Sequence, residues 1–197
     1  MRIIAGMYSS RRLETLPGNK TRPTLDKVKE AVYSSLGSMF DGGNVLDLYA
    51  GSGAIGLEAI SRGFDHAVLV DNNHQACGVI KKNIDALQCR DCCSVLCMKD
   101  TQALSLLIEK KERFDLIYLD PPYAKQHNFE ILDIIDKNNL LNPDGKVVIE
   151  SLKEETYKSE YTHLQYKKEV VYGIMKITYY TYKQDVYKMI SVSSTER

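Results

Sequence analysis

Val45-Leu46-Asp47-Leu48-Tyr49-Ala50-Gly51-Ser52-Gly53-Ala54-Ile55-Gly56 reads as a buried strand, a glycine-rich turn and the first turn of a helix. Glycines at such a turn let the backbone approach a ligand closely, and the helix amino end offers N–H groups that no helical carbonyl uses. The spacing Gly51-x-Gly53-x-x-Gly56 also fits the dinucleotide-binding fingerprint, with Asp71 placed to meet a ribose hydroxyl. Alone, the loop does not separate a nicotinamide dinucleotide from S-adenosylmethionine.

Two carboxylates favour the sulfonium cofactor. Asp47 lies inside the strand, where it can answer the ammonium of a methionine moiety but would repel a pyrophosphate. Asp100, ending the third strand, can accept a hydrogen bond from an adenine amino group. Tyr49, Ala50, Ser52 and Asn72 complete the expected lining beside Gly51, Gly53, Gly56 and Asp71. Any one of these aspartates is equally well read as a helix cap; three at successive strand ends beside a glycine loop are read together as a site.

Outward from the loop, strands and helices alternate: strands at 44–49, 66–70, 92–97 and 114–119, with helices at 54–62, 73–87 and 101–111. Apolar strands in such alternation predict a mostly parallel sheet wrapped by helices. A helix at 128–136, a turn at Asn142-Pro143-Asp144-Gly145 and a strand at 146–150 extend it, and Tyr-rich runs at 166–171 and 174–182 predict an antiparallel edge hairpin. The expectation is an α/β, Rossmann-like fold with a seven-stranded sheet. Ahead of it, residues 1–5 and 11–16 predict a small β-hairpin, and Thr24 is the expected N-cap of an amphipathic helix carrying Leu25, Val28, Val32 and Leu36. The organisation expected is a hairpin and loop over 1–23, a main domain over 24–183 and a frayed tail over 184–197.

Asp120-Pro121-Pro122-Tyr123 follows the strand Phe114-Asp115-Leu116-Ile117-Tyr118-Leu119, so it sits at a strand's carboxyl end. These residues suit methylation of an exocyclic base amine, whose nitrogen lone pair is delocalised into the ring and poorly nucleophilic. Asp120 and a proline carbonyl can accept the amino protons and aim the lone pair, while Tyr123 can stack on the base at about 1–3 kcal/mol. Without the glycine loop upstream, the same four residues would read as a proline-stiffened turn.

Formal net charge is zero, from 26 basic and 26 acidic side chains, yet residues 1–29 carry seven basic groups against two acidic and hold a net +5. Charge gathered at one end suits a phosphate-contacting element, and equally a solvated basic face. The five cysteines, an odd number crowded between Cys77 and Cys97, argue against a secreted disulfide framework and lack a second pair at zinc spacing, so free thiols and no metal are expected. No apolar run is long enough for a membrane span and no export signal is visible, which predicts a cytoplasmic protein with no membrane partner.

Together with the glycine loop and Asp120 motif, Arg2-Ile3-Ile4-Ala5-Gly6, Arg11-Arg12-Leu13 and Thr21-Arg22-Pro23-Thr24 followed by Val28-Lys29-Glu30-Ala31 resemble the bacterial RsmD family over nearly the whole chain. That resemblance implies S-adenosylmethionine-dependent methylation of the 2-amino group of one guanine in small-subunit ribosomal RNA, naked or in an assembling subunit; a monomer is the oligomeric state expected. It implies cofactor contacts from the glycine loop, Asp71 and Asp100, catalysis at Asp120, Pro121, Pro122 and Tyr123, and substrate contacts from Arg11, Arg12, Arg22 and Pro23. A DNA adenine or cytosine amino-methyltransferase also uses such a motif, but no inserted recognition domain is visible and 197 residues leave little beyond the core and hairpin. A dinucleotide-dependent oxidoreductase would leave Asp120-Pro121-Pro122-Tyr123 idle, as would a non-catalytic RNA-binding protein.

Overall fold

A computed structural model describes residues 1–16, 23–121, 127–158 and 160–183, with backbone alone for 23–25. The chain divides into two compact units, Met1–Leu106 and Leu107–Arg197.

In the first unit, α1 (Pro23–Leu36) leads to β1 (Asn44–Asp47), α2 (Ala54–Ser61), β2 (His66–Asp71), α3 (His74–Leu87) and β3 (Cys93–Cys97), with α4 (Asp100–Glu109) beginning after it. β1 pairs parallel to β2 from Asn44–His66 to Asp47–Leu69, and β2 pairs parallel to β3 from Ala67–Cys93 to Asp71–Cys97. Val45, Leu46, Ala67, Leu69 and Val70 are fully buried, as strands covered on both faces require. Asn73 caps α3 by accepting the Gln75 N–H at 2.8 Å. The helix expected to be capped by Thr24, and so to begin at Leu25, starts two residues earlier, at Pro23, so Thr24 lies in its first turn. Proline suits that first position because its fixed φ is helical and its missing N–H would be unsatisfied there anyway.

The amino-terminal hairpin reduces to one antiparallel bridge, Arg2–Arg12, flanked by Ile3 N–H to Arg11 O and Leu13 N–H to Met1 O, both 2.9 Å. Ile3 and Leu13 are buried while Arg2, Arg11 and Arg12 are exposed. Glu58 of α2, wholly enclosed, accepts the Ile4 and Ala5 N–H groups at 2.8 and 3.0 Å. It also pairs with Lys29 Nζ at 3.1 Å and Arg62 Nε at 2.7 Å, both enclosed. Gly6 (φ +84°) passes so close to α2 that a Cβ would lie 1.7 Å from the Ser61 carbonyl oxygen. The hairpin is thus joined to the first unit by a buried polar clamp.

The second unit contains β4 (Phe114–Leu119), α5 (Asn128–Lys137), β5 (Leu141–Leu152), β6 (Leu164–Tyr172) and β7 (Met175–Tyr182). β4 and β5 are parallel, and β7 is antiparallel to both β5 and β6. The turn expected at Asn142–Gly145 lies inside β5 as a bulge: the register jumps from Phe114–Leu141 to Leu116–Lys146. Pro143 has no N–H to give the ladder and Asp144 takes φ +59°, so this stretch leaves the pairing while buried Leu141 holds the strand in place. Buried Asp136 of α5 accepts the Thr162, His163 and Leu164 N–H groups at 3.0, 2.7 and 2.7 Å, fixing the start of β6.

The strands run in the order β3-β2-β1 in the first unit and β4-β5-β7-β6 in the second, seven strands in the expected mostly parallel Rossmann-like α/β arrangement with an antiparallel edge. Among the described residues no helix is long and apolar enough to cross a membrane.

Candidate active site

Asp47 and Asp71 end β1 and β2, while Asp100, expected to end the third strand, lies past β3 as the first residue of α4. Asp71 is the hub of the loop: its Oδ2 accepts the Gly51 N–H at 2.9 Å and its Oδ1 the Asn73 N–H at 2.8 Å. Gly51 holds φ +55°, and a Cβ there would meet nothing within 4 Å, so open space lies against the turn. Gly53 (φ +81°) precedes α2, and Ala50 N–H donates to Val70 O at 2.8 Å, tying the turn to β2. Gly56 is required for packing, since a Cβ would come 2.3 Å from the Leu69 side chain. Ser52 O accepts from Asn83 Nδ2 at 2.9 Å, while Asn72 is exposed beside Asp71.

Tyr49 Oη donates to Asp100 Oδ2 at 2.8 Å. Burial and then that carboxylate push the phenol's pKa upward, so Tyr49 stays a donor. Asp100 Oδ1 accepts the Thr101 N–H at 2.7 Å, at the amino end of α4. Tyr49, Gly51, Asp71 and Asp100 therefore form one polar rim above the ends of β1 to β3 within the first unit.

Asp47 is 1% exposed, and its Oδ2 accepts the Gly56 N–H at 3.1 Å, holding α2 against β1. Burial pushes its carboxyl up to about 7, against opposing hydrogen bonds from Gly56 and Tyr49 N–H. A carboxyl whose folded pKa exceeds its unfolded one gives stability that is fully present below about pH 4 and lost as pH rises through about 7. Asp47→Asn, which cannot ionise, should flatten that dependence. Urea unfolding at pH 5 and pH 8 should show wild type losing on the order of a few kcal/mol more than the variant. Equal losses in the two proteins would count against this account.

In the second unit, β4 delivers Asp120 exposed at its carboxyl end and Pro121 buried behind it. Pro122 and Tyr123 lie outside the described residues, as does Arg22; of Pro23 only the backbone is described. Within β4, Tyr118 Oη donates to buried Glu150 Oε2 of β5 at 3.2 Å. Burial raises that carboxyl too.

The chain matches the family described as "Conserved hypothetical protein 95" over residues 1–181. It belongs to this family, the RsmD-type methyltransferases. A family relative from Bacillus subtilis, named "Putative rRNA methyltransferase YlbH", is 37% identical over 91% of this chain and 98% of its own. The "Ribosomal RNA small subunit methyltransferase D" of Escherichia coli is 27% identical over 94% of this chain and 90% of its own. A solved structure described as a conserved hypothetical protein of Streptococcus pyogenes superposes with TM-score 0.74 at 38% identity, covering 79% of this chain and 95% of that one.

Sequence reasoning missed Glu58, Lys29 and Arg62, which fasten the hairpin, and Glu150. Each carboxylate had a signal: Glu58 is the single charge in Ala54–Ser61, and Glu150 ends the apolar run Val147-Val148-Ile149. The five cysteines form no disulfide; Cys89 and Cys93 Sγ lie 4.0 Å apart, and Cys97 Sγ lies 3.4 Å from His74 Nδ1.

Proposed function

We propose that this chain transfers a methyl group from S-adenosylmethionine to the exocyclic 2-amino group of a guanine in small-subunit ribosomal RNA. The observation that carries the reading is Asp120, an exposed carboxylate at the end of a buried strand with a buried proline behind it. The ribosomal RNA methyltransferase names of the family relatives support the RNA substrate.

The first unit fits the cofactor. The open space at Gly51 admits a ligand against the loop, Asp71 keeps lone pairs for ribose hydroxyls, and the Tyr49–Asp100 pair offers an acceptor to an adenine amino group. Asp47 would act on the cofactor through the loop it braces. When bound, S-adenosylmethionine supplies an electrophilic methyl on a sulfonium. Asp120 would accept one N–H of the target amine, turn its lone pair toward that methyl and hold it there, and the Pro121 carbonyl is a second acceptor. Such positioning can supply roughly 7–11 kcal/mol of the barrier lowered in a two-reactant transfer. Access to a base amine requires an unpaired or flipped nucleotide, at a few kcal/mol of unstacking. Arg11 and Arg12, exposed on the hairpin, would take phosphates, with the 1–23 segment as the RNA-gripping part of a monomer.

The test is incubation with S-adenosylmethionine and separate RNA and DNA pools, followed by mass analysis of nucleosides. The expected product is N2-methylguanosine in the RNA pool alone. A methylated adenine or cytosine, in DNA, would overturn the reading in favour of a DNA amino-methyltransferase.

A further inference from the structure

Four carboxylates are buried among the described residues: Asp47, Glu58, Asp136 and Glu150. Three are well satisfied. Asp47 accepts two backbone N–H groups, Glu58 two N–H groups and two cations, and Asp136 three N–H groups. Glu150 is the exception. Among the described residues its donor is one neutral hydroxyl, Tyr118 Oη at 3.2 Å, and no cation lies within ion-pair distance. A buried carboxylate with one uncharged donor is costly to keep, because desolvation is offset only where hydrogen bonds or charges replace water. Such a group is a candidate for function rather than for folding.

Its place in the sheet says what function. β4 and β5 are parallel with Tyr118 opposite Val148 and Leu119 opposite Ile149, and Asp120 and Glu150 each follow directly on that last pair, at the same end of adjacent strands. Glu150 lies two residues past Val148 and Asp120 two past Tyr118. With side chains alternating along a strand, Tyr118 and Glu150 share one face, as the hydrogen bond between them requires, and Asp120 follows at the carboxyl end of the same strand as Tyr118. Neighbouring strands lie about 4.8 Å apart, so a base whose amine reaches Asp120 brings its adjoining ring edge to Glu150.

Guanine presents two donors on that edge, the 2-amino group and N1–H, whereas the corresponding nitrogen of adenine is a bare acceptor. We propose that Glu150 is the specificity-determining residue of the site, its carboxylate accepting the N1–H of the guanine whose 2-amino group Asp120 holds. This rests on the guanine reading above. Tyr118 then orients the carboxylate, and a base with an acceptor at position 1 meets repulsion and an unpaired buried group.

The experiment uses an RNA fragment spanning the mapped target nucleotide, carrying either guanine or 2-aminopurine there. The analogue keeps the 2-amino group but has an acceptor at position 1. Wild type should prefer guanine in kcat/KM by about 10- to 150-fold, as expected for a hydrogen bond to a charged group. Glu150→Gln offers both a donor and an acceptor, so the preference should fall to within about threefold of unity while the variant still methylates the analogue. Tyr118→Phe keeps the carboxylate and should keep the wild-type preference within about threefold. The proposal is overturned if Glu150→Gln retains the wild-type ratio at whatever total activity, since a structural role lowers both substrates alike, or if Tyr118→Phe shifts the ratio as far as Glu150→Gln does. Guanine methylated by wild type with an unmoved ratio would sink Glu150 and leave the function standing. An adenine methylated by wild type would sink both.

Discussion

Asp120→Ala is expected to lower methyl transfer to RNA by about a thousandfold or more while S-adenosylmethionine binds within about twofold of wild type. Two losses combine. Alanine removes the acceptor that draws the amine lone pair out of the ring, an effect comparable to deleting one preorganised transition-state partner, worth about a hundred- to a thousandfold. It also releases the base from its line of approach, and misplacement of about 1 Å can cost a further hundredfold. Cofactor affinity should hold because the rim of Tyr49, Gly51, Asp71 and Asp100 lies in the first unit, held by its own hydrogen bonds to the Asp71 and Asp100 carboxylates. Asp120→Asn keeps a carbonyl acceptor and should fall between the two. Single-turnover methyl transfer beside calorimetric cofactor binding distinguishes the outcomes: near-normal turnover in the alanine variant removes Asp120 from the chemistry, and parallel loss of cofactor binding makes its role structural.

The parts of the fold legible in the sequence are those governed by local rules. Val45 to Gly56 announced strand, turn and helix because the glycines are needed there: Gly51 and Gly53 at positive φ, Gly56 against Leu69. The parallel strands were legible because strands covered on both faces are unbroken apolar runs. What stayed hidden depends on partners far apart in sequence. Glu58 meets Ile4 and Ala5 across more than fifty residues, and no periodicity encodes that. The bulge at Asn142–Gly145 carries every local sign of a turn, and it is the burial of Leu141 and its pairing with Phe114 that carry the strand past it. In the candidate site Asp47, Asp71, Asp100 and Asp120 could be placed near strand ends, but whether each faces a ligand or the backbone depends on burial. Asp47 turned inward to Gly56, while Asp120 faces out.

Glu58→Ala should destabilise the protein by about 3–5 kcal/mol, a large fraction of the roughly 5–15 kcal/mol that holds a domain folded. Glu58 is wholly enclosed, and the side chains of Lys29 and Arg62 are each 4% exposed. Removing the anion leaves two buried cations without a counter-charge and orphans the Ile4 and Ala5 N–H groups. The cations cannot escape easily, because Lys29 Nζ also donates to Arg2 O at 2.6 Å and Arg62 reaches Ser38 O at 2.8 Å and lies over the Tyr33 ring. Glu58→Gln keeps the volume and one acceptor but not the charge, so it should recover only part of the loss. Urea unfolding at neutral pH reads both variants, and an alanine variant within about 1 kcal/mol of wild type would show that the clamp is not what fastens the hairpin. Because the same carboxylate holds the strand that carries Arg2 and the turn leading to Arg11 and Arg12, a partly folded Glu58→Gln protein should also bind RNA more weakly. Weaker RNA binding with no change at the cofactor rim would link the buried charge cluster to the exposed one.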